Sequence, residues 1–178
     1  MIIPKKVEKA LNDHLTLEMH SNALYLSVSS WCQKEGMDGS ANFFSRQSSE
    51  ENVHFLKFFN FINEVGGHAL VPAVAQPKHH FSSVLECCEL AYATEQKVTK
   101  SIYKMLDIAR NEGDHATLEF LKFFVEEQME EEVLFKRIID KIKLIGKGPQ
   151  SLYYIDKEMD RFSTMGTAED KKGKKDKA

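Results

Sequence analysis

The sequence predicts an all-α fold: a four-helix bundle with a long crossover between helices 2 and 3, plus a short fifth C-terminal helix. Three observations predict it. Glycine and proline are scarce, 9 and 4 in 178 residues, about 7% against roughly 12% in average usage. They are also clustered, so that 5–35, 40–65, 78–112, 114–145 and 150–165 contain neither, whereas a β-sandwich or barrel needs a turn signal every 8–12 residues or so. Finally, each of the four long segments carries an apolar stripe at helical spacing.

The elements follow in order. Helix 1 runs from about Pro4, a favourable first-turn proline, to about Cys32, and Gly36 and Gly39 mark the turn after it. Helix 2 starts near Asp38 or Ser40, both good caps, and ends at Gly66-Gly67. Helix 3 starts at Ser82–Ser83, where Ser83 and Glu86 have the spacing of a capping box, and ends at Gly113. Asp114 caps helix 4, which reaches Gly146, and Ser151–Phe162 forms the fifth helix. Residues 163–178 are small, polar and lysine-rich and are expected to be disordered, which divides the chain into a helical domain 1–162 and a tail 163–178. The connections 1–2 and 3–4 are short, so those pairs are antiparallel hairpins. The connection 67–82 spans 16 residues. Extended, it reaches ~53 Å, more than the ~42 Å length of helix 2, so it can run the length of the bundle and make helices 2 and 3 parallel.

Composition narrows the class. Hydrophobic residues are 42% and charged residues 29%, a soluble, core-forming mixture. No apolar run approaches the ~18 residues of a membrane helix, and no apolar signal core follows the lysines at the N-terminus. The formal charge is −3; the segment 168–178 carries five Lys against three acids, leaving −5 on the rest. That sign argues against nucleic acid as the main partner. The three cysteines, Cys32, Cys87 and Cys88, form no disulfide framework and no CxxC, which suits a reducing cytoplasmic chain and excludes zinc ribbons and rubredoxin-type iron sites.

The chemistry lies at the midpoints of the stripes. Helix 1 reads Leu11, Leu15, Glu18, Asn22, Tyr25, Ser29, Cys32; helix 2 reads Phe44, Ser48, Glu51, Phe55, Phe58, Ile62, Val65. Helix 3 reads Val84, Cys88, Ala91, Glu95, Val98, Ile102, Met105; helix 4 reads Leu121, Phe124, Gln128, Glu131, Phe135, Ile138, Ile142. A carboxylate interrupts each stripe near its centre, a height shared by helices running in either direction. Glu18 to Glu51 is 33 residues, as is Glu95 to Gln128, and each second member has a partner at i+3, His54 and Glu131. Residues at i and i+3 share a helix face. Taken singly, each glutamate reads as a misjudged face and His54 as a satisfied histidine; four at one height with a duplicated spacing read as a metal site. Two divalent cations balance the four negative charges of Glu18, Glu51, Glu95 and Glu131, whose unpaired burial would be costly. This oxygen-rich set, with one imidazole, suits Fe²⁺ or Mn²⁺. Tyr25, on the same stripe, reads either as a core tyrosine with a bonded hydroxyl or as a redox or hydrogen-bonding neighbour of the metals. The acidic run Glu126–Glu132 usually reads as a solvated face, but Glu127 and Glu130, an i,i+3 pair, with Glu50 could make a further, more exposed metal site. His14, His20, His68, His79, His80 and His115 read as surface or loop residues, with His79-His80 a pair able to take up metal adventitiously, and Trp31, the phenylalanines and the methionines as core or interface.

These residues resemble the bacterial non-haem ferritins over about 1–162. The matching stretches are Leu17-Glu18 with Leu24-Tyr25 and Trp31-Cys32, Glu50–His54, Tyr92–Gln96, Val125–Glu132, and Leu134–Lys136 onward to Leu152–Glu158. The resemblance implies a ferritin-like bundle with a ferroxidase centre. Site A would be Glu18, Glu51 and His54; site B would be bridging Glu51 with Glu95 and Glu131, and Gln128 nearby. Site C, a third iron site, would be Glu50, Glu127, Glu130 and Glu131, and Tyr25 matches the family's tyrosine beside the centre. It also implies a homo-oligomeric shell of twenty-four subunits, with the fifth helix near the four-fold axes. Two departures separate relatives. Bacterioferritins carry a haem-ligating Met just after the bridging Glu, where this chain has Asn52, and a second Glu-x-x-His, where it has Gln128-x-x-Glu131; no haem is expected. Rubrerythrins carry CxxC pairs, which this chain lacks. The lysine-rich tail goes beyond the common pattern.

The expected function is therefore iron storage with ferroxidase activity: Fe²⁺ is oxidised by O₂ or H₂O₂ at a di-iron centre and stored as ferric mineral. Two other classes are open to this sequence, a cage subunit without fast oxidation of its own and a di-metal oxygenase. Leu17, Leu24 and Trp31, apolar and off the main stripe, point to subunit contacts rather than the oxygenase.

Overall fold

The computed structural model describes the backbone of residues 3–173 and the side chains of residues 3–164. Its helices are α1 (Lys5–Lys34), α2 (Asp38–Glu64), α3 (Val84–Asn111), α4 (His115–Ile145) and α5 (Ser151–Gly173). There is no strand among the described residues, and no helix there is long and apolar enough to cross a membrane.

Glycines end the first three helices as the sequence suggests. Gly36, Gly66 and Gly113 all have φ between 69° and 81°, and the residue after each donates its N–H five positions back: Met37 to Cys32, Gly67 to Ile62 and Asp114 to Ala109, each at 2.9 Å. That bond needs the left-handed residue that glycine adopts without strain. At the other ends, Asp114 accepts from the Thr117 N–H at 3.1 Å and Ser83 accepts from Glu86 N–H at 3.1 Å. The capping box is displaced by one residue, because the Glu86 carboxylate accepts from the N–H and hydroxyl of Ser82 at 2.6 and 2.7 Å.

The start of α2 differs from expectation. Neither Asp38 nor Ser40 caps it; Met37 holds the cap position without a side-chain bond. The acceptor comes from α5 instead: Asp156 takes Gly39 N–H at 3.0 Å and Ser40 N–H at 2.7 Å, and the Ser40 hydroxyl at 2.8 Å. A carboxylate on the exposed N–H groups of a helix start also meets the positive end of its dipole. Asp156→Ala is expected to cost about 1–2 kcal/mol, the usual cost of losing a cap, measured by denaturant unfolding; an unchanged midpoint would show that α5 is held without it.

The fifth helix also runs past its expected end, from Phe162 to Gly173. A single glycine within a helix costs only about 1 kcal/mol and does not end it. The remainder of the expected disordered tail, 174–178, lies outside the described residues.

The crossover fixes the topology. It leaves α2 beside the start of α1, where Leu70 N–H donates to Asn12 Oδ1 at 2.7 Å. It reaches the far end at Lys78, whose carbonyl accepts from Ser27 Oγ at 2.9 Å, and at Phe81, whose ring meets Trp31 with centroids 5.5 Å apart. The loop thus climbs along α1, and α3 starts level with the start of α2 and runs parallel to it.

The apolar core is divided in two. One cluster holds Tyr25, Val28, Cys32, Phe43, Phe44, Cys88, Ala91, Phe135 and Ile138; the other holds Leu11, Leu15, Phe55, Phe58, Ile62, Val98, Ile102, Leu121 and Phe124. Leu24 belongs to the first cluster, 3% exposed, and so is no subunit contact: a helix inside a bundle buries a wider face than one residue per turn. Leu17 and Trp31 are half-buried.

Candidate metal centre

Between the two apolar clusters lies a polar layer contributed by all four long helices. Glu18, Glu51, His54, Glu95 and Gln128 are buried, with Glu95 fully so; Glu131 is half-buried. Each sits at the centre of a helix because the flanking turns bury Leu, Ile, Val and Phe on both sides. The layer is therefore held from above and below by packing that tolerates little displacement.

Glu18, Glu51 and His54 each offer a ligand atom within 4.8 Å of the other two, the one such triad of His, Cys, Asp or Glu among the described residues. His54 Nδ1 is 3.9 Å from Glu18 Oε2 and 4.0 Å from Glu51 Oε2, too far for hydrogen bonds and roomy enough for an ion between them. Both carboxylate oxygens of Glu18 are buried with no hydrogen-bond partner. An orphaned buried carboxylate oxygen is rare and costly, and a cation would satisfy it.

The remaining residues hold one another. Tyr25 donates its hydroxyl to Glu95 Oε1. Gln128 Nε2 donates to Glu95 Oε2 at 3.0 Å and to the Glu95 carbonyl at 3.2 Å. Gln47 Nε2 donates to Glu131 Oε2 at 3.1 Å. Of the more exposed acidic set, Glu127 lies 3.7 Å from His54 Nε2. Glu50, half-buried, faces Arg46 Nε at 3.7 Å, and Glu130 is exposed; these three do not join the tight triad.

The carboxyls repel ionisation. Burial pushes Glu51 well above the usual range, and the charges of Glu95 and Glu18 push it further. Burial likewise raises Glu131, reinforced by Glu95 and Glu50. Glu95 is raised to about 7 by burial, against the opposing donations from Tyr25 and Gln128. Glu18 goes the other way: burial works to raise it, but the imidazoles of His14 and His54 hold it low. The Tyr25 phenol is pushed up by burial and by Glu95 and Glu51, and keeps its proton as a donor. His54 is raised because Glu127 and Glu18 outweigh its burial. A divalent cation replaces the protons these carboxyls otherwise retain, which is how buried carboxylates become tolerable.

A pH dependence follows. Glu95 has a folded-state value raised from 4.5 to about 7, so the metal-free folded state holds a proton that the unfolded chain has lost. The stability this group contributes is complete below about pH 4.5 and lost as pH rises through about 7. Metal-free protein is expected to lose melting temperature between pH 5 and 8, and Zn²⁺, a redox-inert divalent ion, to restore it at pH 8 far more than at pH 5. Equal Zn²⁺ stabilisation at both values would place the bound ion elsewhere.

Two residues with a part in this layer escape the sequence reading. His14, there a surface residue, is fully buried, with Nε2 2.7 Å from Glu18 Oε1. Its other nitrogen, Nδ1, is hydrogen-bonded with Ser101 Oγ at 2.9 Å. Gln47 is equally buried. The available signal was shared: His14 stands four residues before Glu18 and Gln47 four before Glu51, each one turn from a candidate ligand on the same face. The other five histidines set aside with His14 are exposed.

Comparison with known proteins agrees with this arrangement. The family described as ferritin-like domain matches residues 8–145. A probable bacterial non-heme ferritin-like protein of Haemophilus influenzae is 37% identical over 163 residues, 92% of this chain and 99% of that protein. A bacterial non-heme ferritin of Staphylococcus aureus is 39% identical over 158 residues, 89% of this chain and 95% of that protein. Among solved structures, the open pore ferritin of the hyperthermophilic archaeon Archaeoglobus fulgidus superposes with a TM-score of 0.85 at 37% identity, covering 89% of this chain and 96% of that one. With a four-helix bundle, a long crossover and a buried carboxylate layer, this chain belongs to the ferritin family, and its relatives are the bacterial non-haem ferritins.

Proposed function

We propose that the protein stores iron and is itself a ferroxidase. The observation that carries this reading is the buried Glu18–Glu51–His54 triad, set in one layer with Glu95, Gln128 and Glu131 between two apolar clusters. Fe²⁺ is the substrate. One ion is taken by Glu18, His54 and Glu51, the other by Glu51, Glu95 and Glu131 with Gln128 beside it. Glu51 serves both, since it belongs to the triad with Glu18 and His54 and also feels the charges of Glu95 and Glu131. Each Fe²⁺ gives up one electron, so the pair delivers two to O₂ or H₂O₂. Hard carboxylate oxygens favour Fe³⁺ over Fe²⁺ and lower the potential. The role of the chain is to hold two ions at a fixed separation in a site lined by groups that exchange protons for metal. Glu127, beside His54, with Glu50, Glu130 and Glu131, forms the third iron site on the way out of the centre.

The ferric product is stored in a homo-oligomeric shell of twenty-four chains. Exposed Leu26 on α1 and Leu70, Val71 and Val74 on the crossover that runs along it support assembly, because large apolar side chains left in water favour a contact surface. The oxidation is tested on purified protein mixed anaerobically with two Fe²⁺ per chain and then exposed to O₂ in an oxygen electrode. Rapid uptake in proportion to bound iron supports the reading. Uptake no faster than that of iron in buffer leaves a storage subunit that depends on oxidation elsewhere.

A further inference from the structure

We propose that His14 is a positioning residue that pins Glu18 so that a single carboxylate oxygen, Oε2, faces the metal of the first site. This rests on the ferroxidase reading given above. His14 is buried without trace of exposure, as is the ring of Phe58 beneath it, with centroids 4.4 Å apart. Its two nitrogens are held from different helices: Nε2 stands 2.7 Å from Glu18 Oε1 on α1, and Nδ1 stands 2.9 Å from Ser101 Oγ on α3. The ring therefore cannot turn without breaking both contacts, and Phe58 occupies one of its faces.

The consequence falls on Glu18. Both oxygens are buried without a hydrogen-bond partner; Oε1 stands in close polar contact with His14 Nε2 at 2.7 Å, and Oε2 lies 3.9 Å from His54 Nδ1. The carboxylate thus reaches the site by one atom in one orientation. Without His14 it could present both oxygens to a single ion or turn towards Glu51, and the geometry shared by the two irons would loosen. This is the place of an outer partner that orients a ligand, with the usual order inverted: the histidine supports and the carboxylate binds.

The test is anaerobic calorimetric titration of the assembled full-length protein with Fe²⁺, paired with aerobic oxidation rates over a range of Fe²⁺ concentrations. His14→Leu is expected to weaken the tighter binding step by about 10- to 100-fold, the usual cost of losing an outer partner. It should also raise KM for Fe²⁺ more than it lowers kcat. His14→Gln, whose amide offers a donor at one end and an acceptor at the other, should recover most of the affinity. Ser101→Ala, which keeps the imidazole but frees its far end, should show a smaller loss of the same kind and carries the comparison if His14→Leu does not assemble. Parent-like affinity in both His14→Leu and Ser101→Ala overturns the inference, as does a His14→Gln variant no better than His14→Leu. If the parent oxidises Fe²⁺ rapidly while the variants match it, only the role of His14 fails. If the parent binds no Fe²⁺ in the bundle, the ferroxidase reading fails with it.

Discussion

Glu51→Ala is expected to lower the initial rate of Fe²⁺ oxidation by more than about 100-fold, beyond the 10- to 100-fold cost of losing a mere outer partner of a metal ligand. The reason is its place in the layer. Glu51 is the carboxylate in the buried triad with Glu18 and His54 that also feels the charges of Glu95 and Glu131, so in the proposed di-iron centre its loss would remove a ligand from both irons and the link that sets their separation. Two-electron transfer needs both ions together. The same substitution removes a carboxyl that burial holds well above its usual range, so the metal-free variant is expected to melt at or above the parent temperature. Stopped-flow oxidation and thermal unfolding thus move in opposite directions. Unchanged initial rates in Glu51→Ala would take the bridging role from this residue, and a large fall in melting temperature would mean that the lost rate reports unfolding.

Gly39→Ala is expected to be the most destabilising single-methyl change at the C-terminal helix. A Cβ built there would stand 2.2 Å from the carbonyl oxygen of Asp156 and 3.1 Å from its carbonyl carbon. The obstacle is backbone, which cannot rotate away as a side chain can. The α5 helix must therefore retreat, and in doing so it withdraws the Asp156 carboxylate from the N–H groups of Gly39 and Ser40. Overpacking costs about 1–3 kcal/mol, and the lost cap adds about 1, so a loss of roughly 3 kcal/mol is expected by denaturant unfolding, with faster proteolytic cleavage after residue 150. Metal binding in the layer between the clusters should persist, because Gly39 lies at the end of the bundle. Parent-like stability would show that α5 is free to shift.

These two sites also mark how far the sequence carries. The layer was legible because its signal is periodic and local: a carboxylate at the centre of each stripe, a spacing of 33 residues used twice, and partners at i+3. The crossover was legible from loop length against helix length. What escaped was settled by partners distant in sequence. The cap of α2 comes from Asp156, 117 residues beyond Gly39, and no local pattern at Asp38 or Ser40 reveals that α5 would supply it. Nothing local to His14 predicts its burial, since its partner Ser101 lies 87 residues away. A stripe of one residue per turn puts Leu24 outside, but it is narrower than the face a bundle helix buries. Composition predicts disorder over 163–178, whereas the backbone of α5 continues helical to Gly173.

The central claim, that this chain holds two iron ions in one layer inside its own bundle, is tested most directly by anomalous diffraction at the iron edge from crystals soaked aerobically in Fe²⁺. Two strong peaks per chain are expected about 3.5–4 Å apart, one against Glu18 and His54, the other against Glu95 and Glu131, with Glu51 between them. Iron found only on exposed carboxylates, with no peak between the two apolar clusters, would contradict it.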